Sequence, residues 1–188
     1  MKLKIKYNSP VVLTFALVCA LTLLANFLTR GASNRLLFIA RRGSLTDPLT
    51  WLRLFTHVLG HASWEHYAGN MMLFLLIGPM LEEKYGSRDL LLVIAVTALV
   101  TGVVHCMVST GGLLGASGVV FAFIILASMT SFRSGEVPLT LILVVILYLG
   151  REVARGLLSQ DTVSQLAHIV GGVTGGACGY LAAAGQRK

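Results

Sequence analysis

Gly115-Ala116-Ser117-Gly118 runs straight into Val119-Val120-Phe121-Ala122-Phe123-Ile124-Ile125-Leu126, and the reading of that junction decides the fold. No charged residue occurs over 119–129, so the apolar side reads as a membrane helix that begins beside the serine. Small neighbours let other backbone and a substrate approach the hydroxyl closely. A helix start there would also aim unpaired N–H groups at an oxyanion formed next to it. Taken alone, G-x-S-G is a short pattern that equally describes a tight helix–helix contact.

Composition supports the membrane reading. The 188 residues are 55% hydrophobic and only 12% charged, about half the charged fraction of a soluble domain. The net charge of +7 could point to nucleic acid, but much of it sits in short flanks between apolar runs, which is interfacial anchoring. Cys19, Cys106 and Cys178 are scattered with no C-x-x-C spacing, so they read as small buried hydrophobes rather than a zinc site or a disulfide framework.

Working outward, the chain divides into six apolar spans in one domain, 1–188, at about 11–28, 66–81, 90–108, 115–132, 137–157 and 165–184. The expected fold is an all-α membrane protein, a six-transmembrane-helix bundle. The first span follows Lys2, Lys4 and Lys6, is long for a signal-peptide core and has no convincing cleavage site, so it is expected to be retained. Between the first two spans, 30–63 is basic and aromatic together, a membrane-associated loop suited to the headgroup region. An even number of spans puts both termini on one side, and the triple lysine puts that side in the cytoplasm.

Polar residues inside such spans are expensive and mark function. His66 and Asn70, four apart, share one helix face. His168 opens the last span, whose Ala167, Gly171, Gly175 and Gly179 form a small-residue stripe that permits very close helix packing. Were that stripe to pack on the fourth span near Gly118 and Ala122, His168 would come within reach of Ser117 as its base. His66 and Asn70 would then be donors to developing negative charge. Each feature has a plainer reading: packing for the stripe, an interfacial site for His168, an interhelical hydrogen bond for His66 with Asn70. Their joint occurrence with G-x-S-G favours the chemical one.

Three stretches in this order carry a resemblance. They are His61-Ala62-Ser63-Trp64-Glu65-His66-Tyr67-Ala68-Gly69-Asn70, then Gly115-Ala116-Ser117-Gly118, then Ala167-His168-Ile169-Val170-Gly171-Gly172-Val173-Thr174-Gly175. Glu82 with Gly86, and Arg53-Leu54-Phe55-Thr56-His57, add to it. Over roughly 51–179 the chain resembles the rhomboid intramembrane serine proteases of the compact six-helix bacterial type. That resemblance implies a catalytic dyad of Ser117 as nucleophile and His168 as general base and acid. It implies an oxyanion hole from His66, Asn70 and the Ser117 backbone N–H, with Gly115, Gly118, Phe121, Gly171 and Gly175 in support. His57 and His61 match positions tied to loop structure. Two departures stand out: Trp51 is displaced by one from the family's Trp-Arg pair, and Phe121 stands where relatives often carry Tyr.

The expected activity is therefore an endopeptidase that cuts a peptide bond in or near the transmembrane segment of another membrane protein. It is multi-pass, set in membrane lipid, expected in a bacterial inner membrane, with no cofactor, metal or nucleic-acid partner. The absence of H-E-x-x-H argues against a zinc protease. Two rivals belong to other classes: a catalytically silent rhomboid-like protein that binds membrane helices for quality control, and a small channel with His57, His61 and His66 as a metal path.

Overall fold

The computed structural model of the chain describes residues 6–129, 139, 142–143, 146–147, 169–178 and 181. Most of the expected fifth span and the start of the sixth, with His168, lie outside the described residues, as do Lys2 and Lys4. The elements in chain order are α1 (Pro10–Leu28), a π-helical segment (Asn34–Phe38), α2 (Pro48–Thr56), α3 (Trp64–Tyr85), α4 (Ser87–Val108) and α5 (Ser117–Met129). A last helix, α6, covers Ile169–Cys178. Among the described residues the architecture is all-helical; its one β feature is an isolated antiparallel bridge, Ala40 to Leu113.

Among the described residues two helices, α1 and α4, are long and apolar enough to cross a membrane, with mean hydropathy 2.4 and 2.5. At 1.5 Å per residue their 19 and 22 residues reach about 28 and about 33 Å, against a hydrocarbon core of about 30 Å. Helices α5 and α6 are apolar but shorter among the described residues.

Helix boundaries follow capping chemistry rather than hydropathy. Ser63 caps α3 by accepting the His66 N–H at 3.2 Å. Gly86, at φ +81°, ends α3, and α4 starts at the next residue, so Ser87-Arg88-Asp89 form its first polar turn ahead of the apolar span expected from 90. At α1 the N-cap Ser9 makes no side-chain cap. Glu82 from the end of α3 takes that role instead: its two carboxylate oxygens accept the Val11 and Val12 N–H groups, each at 3.0 Å. Ser87 Oγ donates to the same carboxylate at 2.6 Å. A buried carboxylate against a helix start is favoured by the helix dipole, and here it ties together α1 and the α3–α4 turn.

The core forms where α3 packs between α1 and α5. Phe15, Phe74 and Phe123 make a ladder of rings, 4.8 and 4.9 Å between successive centroids. Gly78 lets α1 close in, since a Cβ there would sit 2.8 Å from Val12 Cγ2. Outside this core, Leu17, Leu21, Leu24, Phe27, Met72, Leu76, Leu91 and Leu92 are exposed, as expected of a surface facing lipid.

The 30–63 segment, read from sequence as a loop of mixed character, is knitted into a cap. Asp47 starts α2 by accepting the Leu49 N–H, and Arg53 Nη1 stands 4.0 Å from Asp47 Oδ2. Buried Arg53 donates through Nε to Leu36 O at 2.8 Å, and Thr56 Oγ1 donates to Leu37 O. The displaced Trp51 is half exposed and donates to Leu45 O at 3.0 Å.

Candidate active site

Ser117 is the first residue of α5. The first helical bond runs from Val120 N to Ala116 O at 2.9 Å, so the Ser117, Gly118 and Val119 N–H groups have no acceptor within the helix. The chain reaches this point through Gly115 at φ +120°, a backbone shape that side-chain-bearing residues rarely adopt. The same glycine is needed for space: a Cβ on it would lie 2.6 Å from His66 Cε1 and Nε2. The His66 ring thus rests on the turn that delivers the serine.

That turn is held at several points. Gly115 N donates to His57 O at 2.8 Å. Leu113 and Ala40 exchange bonds of 2.8 and 2.9 Å. His105 Nε2 meets Gly111 O at 3.2 Å, and Gly111 N donates to Ser109 Oγ at 3.0 Å. His105, buried in α4, was not singled out from the sequence, although an ionisable residue inside an apolar span was the available signal.

One turn beyond His66 on α3, Asn70 is buried, and its Nδ2 lies 3.3 Å from His61 Nε2. His61 Nδ1 faces Leu59 O at 3.2 Å, so the hydrogen-bond pattern assigns the proton to Nδ1 and leaves Nε2 to accept from Asn70. The second N–H of the Asn70 amide is left over by that assignment. Burial, reinforced by the neighbouring His66 and opposed by the Leu59 carbonyl, pushes the His61 imidazole down to about 4. Neutral His61 therefore acts as a fixed acceptor that orients Asn70.

His57 is buried outside this cluster. Its Nε2 meets Ala98 O at 3.0 Å, with Thr101 Oγ1 at 3.4 Å. Burial pushes its imidazole down to about 4, against the Ala98 carbonyl and with the charge of His105. Because α2 ends at Thr56, His57 and His61 do not share a helical face, and their rings go to different carbonyls. No cluster of three or more His, Cys, Asp or Glu suited to a metal occurs among the described residues.

Opposite α3, helix α6 lies on α5 with backbone against backbone. A Cβ on Gly171 would collide with the Gly118 carbonyl, and one on Gly175 would sit 2.5 Å from Ala122 Cα. Between them, a Cβ on Gly172 would strike the Phe121 ring, which is itself buried. The small residues therefore do what their spacing permits: α6 meets α5 one residue after Ser117. The structure brings Ser117, His66, Gly115, Gly118, Phe121, Gly171 and Gly175 into one neighbourhood, with Asn70 one turn from His66. His168 precedes Gly171 by three positions in the sequence.

Against known proteins, the family model described as "Rhomboid domain" matches residues 48–185. The chain is also similar to "Rhomboid protease GlpG" of Haemophilus influenzae, 38% identical over 76 residues. That match covers 40% of this chain and 39% of the relative, so the chain spans well under half of the curated protein it matches.

Proposed function

Because the chain belongs to the rhomboid family, we propose that it is an intramembrane serine endopeptidase, built on six membrane helices, that hydrolyses a peptide bond in or near the transmembrane segment of another membrane protein. Ser117 is the nucleophile and His168 its base. The observation that carries this reading is the position of Ser117 at the start of α5, between a histidine ring resting on Gly115 and the α6 backbone against Gly118.

The chemistry runs in two halves. Ser117 Oγ attacks the scissile carbonyl carbon as its proton passes to His168. The carbonyl oxygen becomes an oxyanion, which receives hydrogen bonds from the Ser117 N–H, the Asn70 amide and His66. The C–N bond then breaks, and His168 gives its proton to the leaving amine, which leaves an acyl-enzyme. Water, deprotonated by His168, attacks that ester, the acyl C–Oγ bond breaks as His168 returns the proton to Ser117 Oγ, and the new carboxyl terminus is released. Such water enters from the side on which the 109–116 turn and the 30–63 cap lie, taken to be the non-cytoplasmic side. Termini in the cytoplasm and a bacterial inner membrane complete the reading.

Cleavage of a co-expressed model membrane substrate tests it. Parent protein is expected to cut, while Ser117→Ala and His168→Ala at equal expression are expected not to. Undiminished cleavage by Ser117→Ala would remove the nucleophile assignment, and a parent that binds but does not cut would leave the catalytically silent helix-binding reading in its place.

A further inference from the structure

Away from Ser117, the 30–63 cap and the C-terminal end of α4 line a half-open cavity of about 390 Å³ whose lining includes Arg41, Arg42, Thr50, Trp51, Val103 and Met107. That volume falls in the range of about 300–1,000 Å³ typical of small-molecule sites. Its floor is apolar and its rim is cationic. Arg42 is partly committed, donating from Nε to Cys106 O at 2.6 Å and from Nη2 to Met107 O, where it caps the end of α4. Arg41 makes no hydrogen bond or ion pair among the described residues, and it is exposed. The acidic residue of 30–63 is Asp47, against five arginines, and Asp47 already faces Arg53. Inside the cavity Thr50 is 7% exposed, and its Oγ1, without a hydrogen-bond partner, points at Gly43, where a Cβ would sit 2.6 Å away.

The depth of this cavity identifies its occupant. Helix α4 is long and apolar enough to span the bilayer and ends at Val108. The arginine rim therefore sits at the level of the headgroups, and Val103 sits about 8 Å further into the hydrocarbon. Trp51 on the wall suits the same boundary. A ligand that matches both halves carries a phosphate and an acyl chain. We propose that the cavity is a binding site for one anionic glycerophospholipid. Arg41 and the remaining donors of Arg42 hold its phosphate, and an acyl chain lies against Val103 and Met107. The bound lipid would fasten the cap to α4.

Native mass spectrometry of delipidated protein tests this, with phosphatidylglycerol or phosphatidylcholine added in detergent. The parent is expected to retain one phosphatidylglycerol, about tenfold more tightly than phosphatidylcholine, whose choline cation offsets the phosphate charge and is repelled by the arginine rim. Arg41→Gln should remove about that tenfold preference, the size expected for one charge-assisted contact. Val103→Trp, which fills the apolar half, should weaken both lipids, and Arg30→Gln, outside the cavity lining, should change neither. The proposal fails if the parent binds both lipids equally or if Arg30→Gln loses as much as Arg41→Gln. It also fails if inorganic phosphate alone displaces phosphatidylglycerol at matched concentration, because then the acyl chain contributes nothing.

Discussion

The polar residues of the 30–63 cap and those around Ser117 are both set among apolar side chains, yet they are satisfied in different ways. In the cap, the donors of Arg53, Thr56 and Asn34 end on backbone carbonyls, those of Leu36, Leu37 and His61. His57 likewise ends on Ala98 O. Such groups hold the loop and are spent in doing so. Around Ser117, small residues expose backbone instead: the His66 ring lies on Gly115, α6 on Gly118, and Asn70 is aimed by His61. In an apolar chain, a polar residue locked to a carbonyl ties segments together, while a glycine lets a ring or a helix come onto the backbone that carries the serine.

The contrast breaks most completely at the α5–α6 contact. Gly171→Leu would drive a side chain into the Gly118 carbonyl. The helices would separate by an ångström or more, and a misplacement of that size costs on the order of 10²-fold in rate. Overpacking should also cost about 1–3 kcal/mol in stability. Loss of both cleavage and thermal stability is expected, and cleavage at the parent rate would refute the contact.

The two histidine environments should separate cleanly by readout. Removing a proposed oxyanion donor, as in Asn70→Ala or His66→Ala, should lower kcat roughly 10²–10³-fold with a smaller effect on melting temperature than His57→Ala. For His57→Ala the order should be reversed. The folded values of His57 and His61, both about 4, lie below the ordinary 6.5, so the unfolded chain takes up these protons first. Stability is therefore full above about pH 6.5 and falls as the pH drops towards 4. His57→Gln should flatten that fall, which thermal melts across the range would show.

The smallest effect is expected at Phe121, a buried ring under Gly172. Phe121→Ala should weaken cleavage more than Phe121→Tyr, since the ring is the packing element and the hydroxyl only an addition. The reverse order would make hydrogen bonding the more important contribution.

Much of this was legible because it repeats along the chain. The stripe of Gly171 and Gly175, the shared face of His66 and Asn70, and a serine opening an apolar run are all local patterns. What escaped depends on partners distant in sequence. Glu82 caps a helix start some 70 positions earlier, and Asn34 donates to the His61 carbonyl 27 positions later. Neither contact leaves a periodic trace. Hydropathy likewise placed the start of the α4 span at 90, because Ser87-Arg88-Asp89 are polar although helical. The cap also hid its π-helical segment and α2, a short helix that Asp47 opens by accepting the Leu49 N–H.

We propose Ser117 as a nucleophile activated where α5 begins. Membrane-embedded protein treated with a fluorophosphonate and digested for mass spectrometry tests it directly. A single adduct is expected on the peptide containing Ser117, abolished in Ser117→Ala and strongly reduced in His168→Ala. An adduct on another serine, or labelling that persists in Ser117→Ala, would contradict it.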